Sequence, residues 1–205
     1  MHFSHLHSHT QFSMLDGAAS IDDMIKKAKR AEMPAAAITD HGNMFGVPEF
    51  VNKAQKEGVK PIIGCEFYVT PTSMKDRETR TRYHQVLLAK DMTGYRNLAK
   101  LSSLGYLEGM YYKPRIDKET IKEYSEGLIA TTCCIASEIN QTIIRKGEEE
   151  ARELFEWYLD VFGDDYYIEL QRHGLEDQNK CNHILTQWSK EYNVKMIATN
   201  DSHYV

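Results

Sequence analysis

Nine histidines stand in this 205-residue sequence, and several fall with acids at spacings suited to holding a metal ion. His7 and His9 are two residues apart, so in extended chain both imidazoles face one side and can share an ion. Asp201 and His203 repeat that spacing near the other end. Between them lie Asp16, then Asp40 and His41 within Thr-Asp-His-Gly, then Glu66, Cys134, His173 and Asn200. Neutral imidazole, carboxylate and thiolate are the groups that ligate zinc or manganese, three or four per ion. A set of about nine such ligands could hold two or three ions, more readily if carboxylates bridge. A lone His or Glu at a strand end is more often a satisfied polar residue than a ligand. Two paired motifs plus Asp-His-Gly are much harder to obtain by chance.

Residues this far apart in sequence need a fold that gathers them. A strand over residues 3–7 opens the chain. Ser20 begins a helix, with Asp23 standing in for the capping-box Glu and Ile21, Met24, Ile25 and Ala28 forming an apolar stripe. Pro34 follows its end, where the ring cannot continue a helix. Residues 35–39 read as a buried strand, and 47–57 as a helix closed by Gly58. Strand-like runs at 60–63 and 66–70 are separated by Gly64. The polar segment 72–82 reads as a loop. Its Lys75, Arg77, Arg80 and Arg82 could touch a nucleic-acid backbone, but interleaved Asp76 and Glu78 favour a solvated loop. Strands at 84–89, 127–132, 166–171 and 194–199 alternate with helices at 93–107, 117–125, 136–146, 148–162 and 177–192. Residues 108–115 form a Tyr/Gly/Pro-containing loop, and its tyrosines suit loop packing more than base stacking.

Alternating strands and helices favour a parallel sheet with helices outside. Counting the pair around Gly64 as one position gives seven strands. That number suits a small, distorted β/α barrel better than an open doubly wound sheet. In a barrel, strand ends and the loops after them share one rim. His7, His9 and Asp16 follow the first strand, Asp40 and His41 the second. Glu66 belongs to the third, Cys134 to the fifth and His173 to the sixth, while Asn200, Asp201 and His203 follow the last. His84 stands at the beginning of its apolar run. Either its strand starts earlier, or it enters from a strand of unexpected direction. Blander roles fit the remainder. Cys65, Cys133 and Cys181 read as packing, His183 as solvent-facing, His2 as terminal and His5 as inner-barrel support.

Composition excludes other classes. Hydrophobic residues at 41% and charged residues at 27% describe a globular chain, not a disordered or fibrous one. No apolar run could cross a bilayer, and no N-terminal stretch has the pattern of a secretion signal. Four cysteines are too few and too irregular for a disulfide framework or a paired CxxC zinc site, and a reducing cytoplasm fits them. The formal charge of −5 argues against a broad basic surface gripping nucleic acid. With no repeat or linker, residues 1–205 read as a single domain.

The motifs LHSHT (residues 6–10), TDHG (39–42), His84 and NDSH (200–203) resemble those of the polymerase and histidinol phosphatase (PHP) superfamily. The stretches HLHSHTQFSMLDGAAS, AITDHGNMFGVPEF, GVKPIIGCEFYV, LLAKDMTGYRNLAKLSS, YLEGMYYKPRID and ATNDSHYV resemble its polymerase branch, the domain that opens bacterial replicative polymerases. Together they cover essentially the whole chain. The resemblance implies a distorted seven-stranded barrel with a trinuclear metal site. Its ligands would be His7, His9, Asp16, His41, Glu66, His84, Cys134, Asp201 and His203. Zinc or manganese would fill it, with iron and magnesium as alternatives. Asp40 would orient a ligand, and His173 and Asn200 would line the rim or meet substrate phosphate. Asp16, Asp201 and His203 would carry catalysis.

The activity implied is metal-dependent phosphodiester hydrolysis, a 3′→5′ exonuclease acting on DNA. Two alternatives accompany it. One is a small-molecule phosphatase, such as one acting on histidinol phosphate. The other is a metal-stabilised structural domain that docks a separate proofreading exonuclease subunit. Some domains of this branch have lost their ligands, whereas this chain retains the set. The implied partners are DNA, the remaining domains of a polymerase, that exonuclease subunit and other holoenzyme subunits, with no membrane. The chain resembles the N-terminal piece of a much longer polymerase, and shows no recognisable palm with which to synthesise DNA.

Overall fold

The computed structural model describes residues 3–205. His2 lies outside the described residues. The strands are β1 (Ala35–Ile38), β2 (Lys60–Val69), β3 (Tyr83–Ala89), β4 (Met110–Tyr111), β5 (Lys113–Ile116), β6 (Leu128–Thr131), β7 (Tyr166–Leu170) and β8 (Met196–Ala198). The helices are α1 (Ile21–Arg30), α2 (Val47–Glu57), α3 (Met92–Leu107), α4 (Lys118–Glu123), α5 (Glu138–Arg145), α6 (Glu148–Phe162) and α7 (Glu176–Glu191). None of them is long and apolar enough to cross a membrane.

The helices begin and end where local chemistry dictates. The Ser20 hydroxyl oxygen accepts from the Asp23 amide to open α1, and Asp91, Asp117 and Ser137 cap α3, α4 and α5 in the same way. Pro48 sits in the first turn of α2 and Gly58 closes it in the left-handed region, φ 73°.

The sheet curls through β1, β2, β3, β6, β7 and β8, with β1–β2, β6–β7 and β7–β8 parallel. The N-terminal segment closes the ring. Ala37 and Thr39 donate to the carbonyls of His5 and Ser8 on one side, and Ser202 exchanges backbone hydrogen bonds with His7 and His9 on the other. Seven positions therefore surround the interior, as expected of the distorted barrel and not of an open doubly wound sheet. Outward-facing Cys65, Phe67, Leu87, Ala130 and Ile168 pack against α3, α5, α6 and α7, with Cys181 in the same core. Beside β1, α1 and α2 bury Ile21, Ile25, Phe50 and Ala54. His183 is exposed.

Four expectations need correction. Residues 3–7 form no strand. Their segment bonds to both neighbours, but its only strand-like pairing among the described residues is an isolated bridge from Ser8 to Ser202. Gly64 does not interrupt β2; it pairs with Leu88, and a Cβ there would lie 2.5 Å from the Leu88 side chain, so the glycine permits close strand packing. The sheet is mixed, because β3 runs antiparallel to both β2 and β6. The loop after β2 carries no helix, so the chain turns back beside the strand it has left. Finally, the expected loop at 108–115 contains the β4–β5 hairpin, whose second strand pairs with the end of β2 through Tyr68–Arg115 and Val69–Ile116.

Candidate metal centre

Reversal of β3 resolves the position of His84. Its strand starts at Tyr83 and runs downward from the rim, so a residue at the beginning of the strand reaches the same level as residues at the ends of parallel ones. The other side chains arrive from separate elements. The N-terminal segment supplies His7 and His9, and its bridge to Ser202 brings Asp201 and His203 alongside. A second bridge, His41 to Glu66, fixes the loop after β1 against β2. Three non-glycine residues take left-handed backbone angles here: Leu15 (φ 69°) before Asp16, Cys133 (φ 58°) before Cys134, and Asp201 itself (φ 49°). Such conformations cost on the order of 1–3 kcal/mol each and collect where function requires a particular side-chain direction.

Glu66 is the hub. Its Oε1 lies 3.3 Å from His7 Nε2, 3.1 Å from His84 Nδ1 and 3.5 Å from the sulfurs of both Cys133 and Cys134. Its Oε2 lies 2.6 Å from His41 Nδ1 and 3.4 Å from His9 Nε2. Asp201 Oδ1 approaches His7 Nε2 at 3.2 Å and His9 Nε2 at 3.1 Å. At the open edge, Asp16 Oδ2 is 2.9 Å from His41 Nε2 and 3.5 Å from His203 Nε2. All nine expected ligands are thus drawn into one cluster. Cys133, expected to be simple packing, shares it.

Two hydrogen-bond relays set the orientation of the innermost imidazoles. The Ser13 hydroxyl donates to Asp40 Oδ1 at 2.7 Å, so its oxygen accepts from His9 Nδ1–H at 2.9 Å. Asp40, whose carboxylate is also bound by the amide and hydroxyl of Thr10, acts through Ser13. On the other imidazole, His7 Nδ1–H donates to Glu169 Oε1 at 2.7 Å. In both, Nδ1–H is committed and Nε2 faces the cluster. Glu169 was missed in the sequence. The available signal was an acid within the apolar strand β7; it is buried and accepts further bonds from Thr131, Thr199 and Gln171.

The fit to metal ions rests on atoms left without partners. His7 Nε2, His9 Nε2, His41 Nδ1, Glu66 Oε2 and Asp201 Oδ1 are buried and make no hydrogen bond among the described residues. The 2.6 Å approach of His41 to Glu66 lacks hydrogen-bond geometry. Leaving one such atom unsatisfied typically costs ~1–3 kcal/mol, so five facing one space call for a shared cation. Four overlapping groups have donor atoms within 4.8 Å of one another: His9–His41–His203, His7–His9–Glu66, His41–Glu66–His84 and Glu66–Cys133–Cys134. Nitrogen, oxygen and sulfur in this mixture suit zinc or manganese.

Charge within the cluster is strongly coupled. Burial acts to raise the Glu66 carboxyl, but His7, His84 and His41 outweigh it and hold it well below the usual carboxylate range. Burial acts to lower His84, but Glu66 and Cys134 overcome it and push it up to about 10. Between the adjacent thiols, the Cys133 hydrogen bond lowers Cys134 while burial raises Cys133. Cys134 is therefore the better thiolate.

Other candidates sit apart. His173 Nε2–H donates to the Asn200 carbonyl at 3.0 Å, and its Nδ1 accepts from Gln178 at 3.2 Å. It anchors the segment leading to Asp201, and both it and Asn200 are exposed. His5 does not enter the cluster; it meets Phe3 edge-on at 4.9 Å and lines a separate cleft with Met24, Met33 and Tyr204.

The profile of the PHP domain family matches residues 5–173. Among curated proteins, the chain is 50% identical over 207 residues to the DNA polymerase III subunit alpha of Borreliella burgdorferi, covering 99% of this chain and 18% of that protein. It is 49% identical over 215 residues to the subunit of the same description from Deinococcus radiodurans, covering 99% and 16%. The chain thus spans less than a fifth of the length of these relatives. Among solved structures, a Bifidobacterium adolescentis protein provisionally described as a metal-dependent phosphoesterase superposes with a TM-score of 0.65 at 14% identity, over 98% of this chain and 87% of that one. A Chromobacterium violaceum amidohydrolase with bound sulfate superposes at 0.59 with 15% identity, over 98% and 87%. These two likenesses establish the shared fold.

Proposed function

The chain belongs to the PHP domain family, and from that premise we propose that it is a metal-dependent phosphodiesterase, a 3′→5′ exonuclease acting on DNA as one cytoplasmic domain of a replicative polymerase. The observation that supports this reading is the convergence of unpartnered donor atoms around Glu66. His7, His9, Asp16, His41, Glu66, His84, Cys134, Asp201 and His203 would hold the ions, three of zinc or manganese, with iron or magnesium as alternatives. When bound, such ions acidify a water and stabilise charge on phosphate and leaving-group oxygens.

The chain's own residues divide the remaining work. Glu169 and the Asp40–Ser13 relay hold His7 and His9 with Nε2 inward. His203 Nδ1–H donates to the Asp201 carbonyl at 2.9 Å, which leaves its Nε2 as an acceptor near Asp16. Asp16, with a side chain 61% exposed, stands where a strand end would arrive. Asp16, Asp201 and His203 are the catalytic candidates at this edge. DNA and the other domains and subunits of a polymerase holoenzyme are the partners this reading requires.

The test uses the purified chain with labelled single-stranded and mismatched-primer DNA in Mn²⁺ or Zn²⁺. Nucleotide release that disappears in Asp16→Ala and Asp201→Ala is expected; absence of release in the parent chain would refute the activity. A second reading follows from depth. His7, His9 and Glu66 are essentially inaccessible, so an ion held among them would serve as a staple for a domain that docks a separate exonuclease subunit. That reading expects chelation to lower the melting temperature while cleavage stays at background.

A further inference from the structure

The basic loop between β2 and β3 is held in place, and its cations have different employments. Buried Arg115 donates to the carbonyls of Thr79 and Asp76, and Arg77 donates to those of Met74 and Glu108. Lys75 pairs with Glu108 at 3.2 Å, and Arg80 lies against the Tyr112 ring. Arg82 donates to the Arg80 carbonyl at 3.2 Å, and it and Lys113 remain without an acidic partner. Neither has a carboxylate within ion-pair distance among the described residues. Both reach one aromatic ring, with Arg82 Cζ at 5.6 Å and Lys113 Nζ at 5.5 Å from the centre of Tyr68.

Tyr68 joins these cations to the metal centre. Its ring stacks on His41 at 5.8 Å and 20°, and lies 5.5 Å from His84. It is seated firmly, because a Cβ on Gly42 would come within 3.1 Å of the ring edge. Its hydroxyl makes no hydrogen bond among the described residues, and both cations lie within 5.6 Å of its ring centre. In a chain of net charge −5, two cations that lack a carboxylate partner and share one ring at the edge of a metal cluster call for an anion.

Building on the nuclease reading above, we propose that Tyr68, Arg82 and Lys113 form a phosphate-binding subsite that holds the backbone phosphate next to the one cleaved in a DNA strand. The subsite binds a polynucleotide in preference to a simple phosphomonoester, which has no second phosphate to offer. It also supplies locally the positive surface that the composition as a whole lacks.

The experiment uses the full chain equilibrated with Mn²⁺. A fluorescein-labelled phosphorothioate dT12, which resists cleavage, is titrated by anisotropy over a range of salt. Arg82→Gln with Lys113→Gln is expected to raise Kd at least tenfold and to flatten the log–log salt slope by about 0.7, the value for one phosphate of a single strand that is no longer neutralised. Tyr68→Phe raises Kd roughly tenfold, as the loss of one hydrogen bond to an anion predicts. Lys56→Gln, at the opposite end of the barrel near the start of β2, leaves both readouts unchanged. Melting temperature and bound metal stay at parent values. Parent-like Kd and salt slope in the double variant overturn the subsite, as does a loss matched by Lys56→Gln. If the parent binds dT12, the double variant loses that binding and no DNA is cleaved, the nuclease reading falls and Tyr68, Arg82 and Lys113 stand as a phosphate-binding site alone. If the parent cleaves DNA and the double variant binds and cleaves equally well, the reverse holds.

Discussion

At the scale of single residues, the centre depends as much on what orients its imidazoles as on the imidazoles themselves. Glu169→Gln exchanges an acceptor for an amide that can turn its NH₂ toward His7 Nδ1. That favours the tautomer with the proton on Nε2, where a lone pair is needed. Loss of such an orienting partner typically weakens metal affinity about 10–100-fold. Competition with a chelating dye for Zn²⁺ would measure it, and an unchanged affinity would show that Glu169 merely fills space. The residues that the structure gathers around Glu66 were legible, because His7/His9, Asp201/His203 and Asp-His-Gly carry their spacing in the sequence. Glu169 carried no such mark. Its neighbours Tyr166 and Ile168 face the helices, and only the direction of β7 turns its carboxylate toward His7. Cys133 packs as expected with Val86 and Leu88, and its left-handed backbone, φ 58°, also turns its sulfur to within 3.5 Å of Glu66 beside Cys134, where alternation along an extended chain would separate the two.

At the scale of elements, boundaries written by local chemistry were readable and strand direction was not. The expected span of α2 agrees with Val47–Glu57 because Pro48 and Gly58 are signals within the helix's own sequence. The orientation of β3 depends on partners across the sheet, and nothing in the run from Tyr83 to Ala89 encodes it. That reversal is what delivers His84 to the rim. The turn after β1 shows the same interplay between element and site. Gly42 adopts φ +63° and faces Pro114 and Tyr68, where a Cβ would approach the Pro114 ring to 2.9 Å. Gly42→Ala should therefore combine backbone strain with a clash between the β1 loop, β2 and the β4–β5 hairpin. A destabilisation of about 1–3 kcal/mol is expected, the usual range for a strained left-handed residue. Urea denaturation would register it as a lower midpoint at unchanged m-value. A midpoint equal to the parent's would mean that this corner relaxes freely. Metal affinity should fall as well, because His41 immediately precedes the glycine.

At the scale of the whole molecule, protons and metal ions compete for the cluster, and the competition has a definite sign. In the metal-free protein, Glu66 sits well below its ordinary value and His84 is raised to about 10. A depressed carboxylate contributes stability above its unfolded pKa and loses it as pH falls through the folded value. A raised imidazole contributes fully below its unfolded pKa, 6.5, and loses that contribution as pH rises toward 10. The metal-free barrel should thus be most stable in mildly acidic solution and weaken steadily from about pH 6.5 upward. Metal binding runs the other way, since an ion must displace the protons that the carboxylates hold on the imidazoles. Its affinity, and the stabilisation that follows by mass action, should grow over the same interval. The gap between the melting temperatures of the Zn²⁺-loaded and chelated protein should therefore widen between pH 6.5 and 9. Calorimetric titrations in two buffers of different ionisation enthalpy should also show protons released on binding. A gap that stays constant with pH, or binding without proton release, would mean that the imidazoles are already neutral and that the cluster's acids do not control them. The ring of seven positions makes the coupling global. The N-terminal segment and residues 201–203 close the barrel through the same stretches that carry His7, His9, Asp201 and His203, so loosening the cluster loosens the seam.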